Sequence, residues 1–291
     1  VTPERIAAAA QLACLLEAGA AKPGNVSPGR PFHDTSWEDF AASAAAIGPA
    51  FLQAHARDVG ATVLDAVRAT RAWTRANTNL GIVLLLAPLA RAAAGGGPLP
   101  AALAGVLAGT TVRDAALAYE AIRLAAPGGL GEAPAEDVRG APTVTLLEAM
   151  RLAAHRDAVA SEWATGFART FATGAPALRA ALEDGLPWAQ ATTEAFLALL
   201  AQAPDTLIAR KLGAEGALEV TRAAAAALAE GGVRTTVGRE RIARLDAELR
   251  DPRNRRNPGA TADLTAAALF VVILERDWLA TPAGASAGQG E

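Results

Sequence analysis

Strand patterning is almost missing from this chain. Alternating runs of Val, Ile and Thr hardly occur, and Pro142-Thr143-Val144-Thr145 is too short to matter. Cysteine is limited to Cys14, which excludes a disulfide framework and a cysteine-based zinc site and suits a reducing compartment. Aromatic residues make up 4%, too few for platforms that stack single-stranded nucleic acid. No excess of positive charge exists either: the net charge is −3, without the footprint of a nucleic-acid binder. Long apolar runs are lacking. The strongest, GIVLLLA at 81–87, is stopped by Pro88, and a bilayer needs about 20 residues. The opening residues Val1-Thr2-Pro3-Glu4-Arg5 lack the basic and apolar regions of a signal peptide. The expectation is a soluble, cytoplasmic protein with no membrane and no nucleic-acid partner. A homodimer is compatible with so Ala-rich a chain, although no motif encodes one.

What is present favours helix. The chain of 291 residues is 52% hydrophobic and 20% charged, a globular composition. Alanine supplies about a quarter of it, and alanine is the best helix former. The 3.6-residue pattern predicts helices over about 3–20, 36–46, 60–76, 80–93, 99–108, 112–125, 144–172, 175–183, 187–201, 204–212, 215–230, 236–250 and 260–278. Thr2 before Pro3 reads as an N-cap, and Ser36 with Asp39 as a capping box. The apolar stretch 264–275 reads as a buried central helix. Nothing repeats at 20–50 residues, which excludes a solenoid. The fold class predicted is all-α: one large domain of packed, Ala-rich helices over 1–280, with a disordered tail at 281–291.

Lysine and asparagine are strongly depleted. The only lysines are Lys22 and Lys211, and the only asparagines are Asn25, Asn77, Asn79, Asn254 and Asn257. All seven fall in four short segments: Lys22 to Asp34, Arg75 to Gly81, Asp205 to Lys211, and Asn254 to Asp263. Each has a bland reading as a turn, a cap or a helix end that complements the dipole. Together they predict a shared polar site, since scatter would rarely collect them so. Lys, Arg, Asn and Asp without a Cys or His cluster fit a small phosphorylated ligand with Mg²⁺. Of the three histidines, His55 and His155 sit in helical patterns and read as surface or core. Lys22, Asn77, Asp205 and Asp263 are expected to line one pocket.

The order Lys22-Pro23-Gly24, His33-Asp34, Asn77-Thr78, Gly129-Leu130-Gly131-Glu132, Asp205-Thr206 and Pro258-Gly259-Ala260-Thr261-Ala262-Asp263-Leu264 resembles the triphosphoribosyl-dephospho-CoA synthase family. The resemblance runs from about residue 12 to 275. It implies an all-helical enzyme that joins ATP to the ribose 2′-hydroxyl of dephospho-CoA and releases adenine. Two departures stand out. The synthases carry Asn-Thr-His-Lys-Gly where this chain has Asn77-Thr78-Asn79-Leu80-Gly81, and an Asn where it has Leu207. The stretch 142–150 with Arg156-Asp157 is similar to a divergent branch in archaea and methylotrophic bacteria, tied to methanopterin and methylofuran synthesis.

Such chemistry needs an acid for the leaving base, a base for the acceptor hydroxyl and Mg²⁺ on the triphosphate. Asp34 with His33 is assigned proton transfer, and Asp205 with Asp263 the metal. Lys22, Arg210 and Lys211 are assigned to phosphate; Asn25, Asn77, Asn79 and Asn257 to phosphate or ribose. Loss of the His-Lys pair predicts weak transfer to dephospho-CoA unless Lys211 or the Arg255-Arg256 pair replaces it. A nucleotide hydrolase and a non-catalytic binder of a phosphorylated cofactor are the alternatives.

Overall fold

A computed structural model describes residues 1–128 and 131–276. The expected tail at 281–291 and the motif residues Gly129 and Leu130 lie outside the described residues. No strand occurs among those described, and the all-α expectation holds. The α-helices are α1 (Pro3–Gly19), α2 (Trp37–Ala46), α3 (Gly48–Leu52), α4 (Val59–Arg71), α5 (Leu80–Gly95), α6 (Leu99–Ala108) and α7 (Val112–Ala125). They continue as α8 (Leu146–Ala153), α9 (Ala158–Thr165), α10 (Ala175–Glu183), α11 (Trp188–Gln202), α12 (Thr206–Ala229), α13 (Thr236–Leu249) and α14 (Gly259–Glu275).

The helices begin where the caps put them. Thr2 Oγ1 accepts from the Arg5 amide at 3.3 Å, ahead of Pro3. Ser36 and Asp39 form the expected capping box. The predicted helix 144–172 is instead broken. The Asp157 carboxylate accepts from the Ala160 amide and starts α9, and Gly166 at φ +67° ends it. A five-residue π-helical stretch, Thr170–Gly174, follows. The predicted 60–76 ends at Arg71, and the short α3 was not foreseen. Gly213 at φ +83° kinks α12, close to the predicted gap between 212 and 215.

The core forms around α14, which is buried on every side from Ala260 to Ile273 except at Asp263. It packs against α1, α5, α10 and α11. Its alanines let these helices approach closely. A smaller apolar cluster joins α11, α12 and α13 through Phe196, Ile208, Val220 and Leu245. Among the described residues no single helix is long and apolar enough to cross a membrane. The α5 and α6 helices pass that test as a pair but are bent by 115°.

One polar clamp fixes the start of α14. Asp205 Oδ1 caps α12, accepting from the Leu207 and Ile208 amides at 2.8 and 3.1 Å. Its Oδ2 accepts from the Thr261 amide at 2.7 Å and from Thr261 Oγ1 at 2.8 Å. Asp205→Ala removes a cap and strands buried donors. The expected loss is roughly 2–4 kcal/mol of unfolding free energy, read from urea melts, with no change in the response to Mg²⁺.

Candidate active site

A cavity of about 720 Å³ opens where the loops before α2, α5, α8 and α14 meet α12. Its size suits a small-molecule site, typically about 300–1,000 Å³. The loop before α2 is fastened to the C-terminal part of α13. Gly24 N donates to Asp246 Oδ1 at 2.8 Å. Asp246 Oδ2 accepts from Arg250 Nε at 2.9 Å and pairs with Arg30. Gly24 stands at φ +72°, and a Cβ there would lie 2.8 Å from Leu249 Cβ, so glycine is needed for both conformation and space. Asn254 Nδ2 donates to His33 Nδ1 at 3.1 Å, and Lys211 Nζ donates to Asn254 O at 3.0 Å. Two loops and α12 are thereby joined at the cavity mouth.

Nine of the predicted site residues line this cavity: Asn25, His33, Asp34, Asn77, Asn79, Arg210, Lys211, Asn257 and Asp263. Their neutral members are partly engaged. Asn77 Oδ1 accepts from the Leu80 amide at 3.2 Å. The Asn79 amide exchanges hydrogen bonds with Thr70 Oγ1 at 3.1 and 3.3 Å. Arg210 Nη1 pairs with Asp157 Oδ2 at 3.1 Å. The His33 and Asp34 side chains are 60% and 61% exposed at the rim.

Two predicted residues do not reach the cavity. Lys22 is buried and does not face a phosphate site. Its ammonium donates to the carbonyls of Glu17 and Ala20 and pairs with Glu17 Oε1 at 3.0 Å. All three of its donors are used. Asp205 is sealed between α12 and α14, with both oxygens occupied as described, which removes it as a metal ligand. The expected four-residue pocket therefore keeps Asn77 and Asp263 and loses Lys22 and Asp205. Among the described residues no group of three or more His, Cys, Asp or Glu side chains could hold a metal ion. Asp263 thus lacks the partners expected of a protein-built metal centre.

Asp263 is unlike the other interior acids. Asp114, Glu162, Glu194, Asp205 and Asp246 each accept from at least one backbone amide. Asp263 accepts no hydrogen bond and makes no ion pair among the described residues. Burial pushes its carboxyl well above the usual range, helped by the charges of Glu17, Asp157 and Asp205 and opposed by Arg210. Its carboxylate lies against Gly81, where a Cβ would stand 2.0 Å from Oδ2. Burial also lowers the Lys211 ammonium.

The sequence reading missed Glu17, Arg253 and Asp157 at the cavity wall. Glu17 had a signal. It continues the buried stripe of Ile6, Ala10 and Ala13 on α1, where a carboxylate must have a partner. Arg253 had none, since its position depends on how the 250–258 loop turns.

If Lys22 neutralises Glu17, Lys22→Met leaves an uncompensated buried carboxylate. Unfolding free energy is expected to fall by about 3–5 kcal/mol, read by denaturant titration. A lysine serving only phosphate would leave stability unchanged.

Comparison with known proteins gives a consistent picture. A Pseudomonas putida protein, provisionally named 2-(5''-triphosphoribosyl)-3'-dephosphocoenzyme-A synthase, is 36% identical over 106 residues, covering 36% of this chain and 37% of its own length. A Stutzerimonas stutzeri protein of the same name is 34% identical over 106 residues, 36% of each chain. The chain thus matches little more than a third of these relatives' length. A crystal structure from Archaeoglobus fulgidus, provisionally named a triphosphoribosyl-dephospho-CoA synthase, has 32% identity and a TM-score of 0.64, covering 80% of this chain and 98% of that one. The model of the family described as ATP:dephospho-CoA triphosphoribosyl transferase matches residues 3–282, and with nearly the whole chain matched, this protein belongs to that family.

Proposed function

We propose that the chain transfers the triphosphoribosyl group of ATP to the 2′-hydroxyl of dephospho-CoA and releases adenine, in coenzyme biosynthesis. The observation that carries this reading is one cavity with cations on one wall and an unpartnered carboxylate within. Arg210, Lys211 and Arg253 line it together with Asp263. Lys211 spends one donor on Asn254 O, leaving two for phosphate oxygens. Arg253 was not foreseen as a replacement for the missing His-Lys pair. The Arg255-Arg256 pair does not line the cavity and pairs with Asp251 and Glu219 instead.

Mg²⁺ would come with the nucleotide. It is usually held by one or two carboxylates beside phosphates and water. Asp34 fits that use, since only Thr35 Oγ1 and His33 contact it. The ion would neutralise triphosphate charge. The proton-transfer role expected for His33 and Asp34 sits poorly with a solvent-open rim. Asn25, Asn77 and Asn257 are suited to orient ribose or phosphate, Asn257 Oδ1 being buried without a partner.

A second reading keeps the reaction but changes the acceptor to one from methanopterin or methylofuran synthesis. The apolar Leu80 at the wall, where the synthases carry Lys, favours it. One assay separates the readings: purified protein with ATP and Mg²⁺, with and without dephospho-CoA, followed for adenine. Release that requires dephospho-CoA, at about 1 s⁻¹ or faster, is the expected result. Acceptor-independent release would make it a hydrolase, and no release would leave the second reading in force. Lys211→Met is expected to weaken ATP binding by about ten- to a hundredfold, or roughly 1.5–3 kcal/mol, measured by calorimetry.

A further inference from the structure

Asp263 stands out because everything around it is arranged to hold it without satisfying it. It lies in the second turn of α14, two residues after Thr261, whose amide and hydroxyl are held by Asp205. Its Cα therefore has little freedom. Gly81, in the first turn of α5, lies directly against the carboxylate, and any Cβ there would displace it. Gly81 has ordinary helical backbone, so its lack of a side chain answers a need for space rather than conformation. Beneath the carboxylate, Glu17 is already neutralised by Lys22, and beside it Arg210 is engaged by Asp157. Lys22 and Arg210 are thus spent on other acids.

The unmet needs of this region are those of acceptors. Among the described residues Asp263 receives no donor, and Asn257 Oδ1 is buried and unpartnered. Both line the cavity. The group that completes them must donate a hydrogen, as a hydroxyl does. The Mg²⁺ that comes with the nucleotide is assigned above to Asp34 at the rim, which leaves Asp263 to a donor on the substrate itself.

We propose that Asp263 is the catalytic carboxylate that takes the proton of the acceptor hydroxyl as the bond from C1′ of ATP to adenine breaks. The inference rests on the transferase reading above. The hydroxyl oxygen forms the new bond to C1′. The electron pair of the old bond leaves with adenine. Asp263 releases its proton to water, and water protonates the vacated adenine nitrogen, so the proton balance closes and no other reactant is consumed. While both bonds are stretched the ribose gains oxocarbenium character, as in glycoside transfer. His33 and Asp34, at the mouth, take no part in this step.

The test uses steady-state adenine release with ATP, Mg²⁺ and dephospho-CoA, beside ATP calorimetry and thermal melting. Asp263→Asn is expected to lower kcat by roughly 10²–10⁴-fold while ATP affinity stays within about threefold. Gly81→Ala should reproduce the loss of kcat by displacing the carboxylate, and it carries the test if the Asn variant does not fold. In Asp263→Ala, added formate should restore part of the turnover, which a purely structural residue would not allow. A loss of kcat below about tenfold, a loss confined to KM for ATP, or no formate rescue in a folded variant would overturn the assignment while leaving the transferase reading intact. If the wild-type protein releases no adenine with dephospho-CoA, the dephospho-CoA reading fails and this role in it fails too.

Discussion

The structure depends on how the first turns of α14 enter a dry core. A helix start leaves amide groups without intrahelical partners, and here Pro258 offers no side-chain cap. Asp205 meets the need from across the chain, binding Thr261 with one oxygen while capping α12 with the other. One carboxylate thus joins two helix starts. The remaining acid of that turn, Asp263, is left to a ligand. The polar accounting at this one junction separates the residue that builds the site from the residue that uses it.

The same accounting governs the charges around the cavity. A buried charge must be paired or its burial is prohibitive. Lys22 answers Glu17 below the cavity floor, and Asp246 answers Arg30, Arg250 and the Gly24 amide behind the loop. Of these groups only Glu17 lines the cavity; the others lie behind it. They hold the loops that line it. The charged groups left for a ligand include Lys211, Arg253 and Arg156, with Asp263 within and Asp34 at the rim.

The departure from the synthase pattern at Asn79-Leu80 is absorbed locally. Asn79 turns into the protein to meet Thr70, and Leu80 joins the core. The wall at the start of α5 becomes apolar. Cationic contact shifts to α12 and the 250–258 loop, two segments that the primary structure separates by about 40 residues but Lys211 and Asn254 bring into hydrogen bond.

Much of the fold was legible in the sequence. Helix positions follow from alanine content, 3.6-residue spacing and caps such as Thr2 and Ser36, which act within a few residues. The buried character of α14 follows from its all-round apolar surface. The four polar loops were legible as well, because depletion of Lys and Asn elsewhere made their positions informative. What residue type could not reveal was direction. Lys22 and Lys211 look alike in sequence, yet one faces Glu17 in the interior and the other the cavity. Asp205 caps α12 and Asp263 lies in the second turn of α14, yet among the described residues one has both oxygens filled and the other neither. Those outcomes depend on which donors distant segments bring within 3 Å, and only the packing of α14 against α1, α5 and α12 decides that. Composition and spacing determined the helices and where the site would gather; tertiary hydrogen bonding decided which of its charges remained free to meet a ligand.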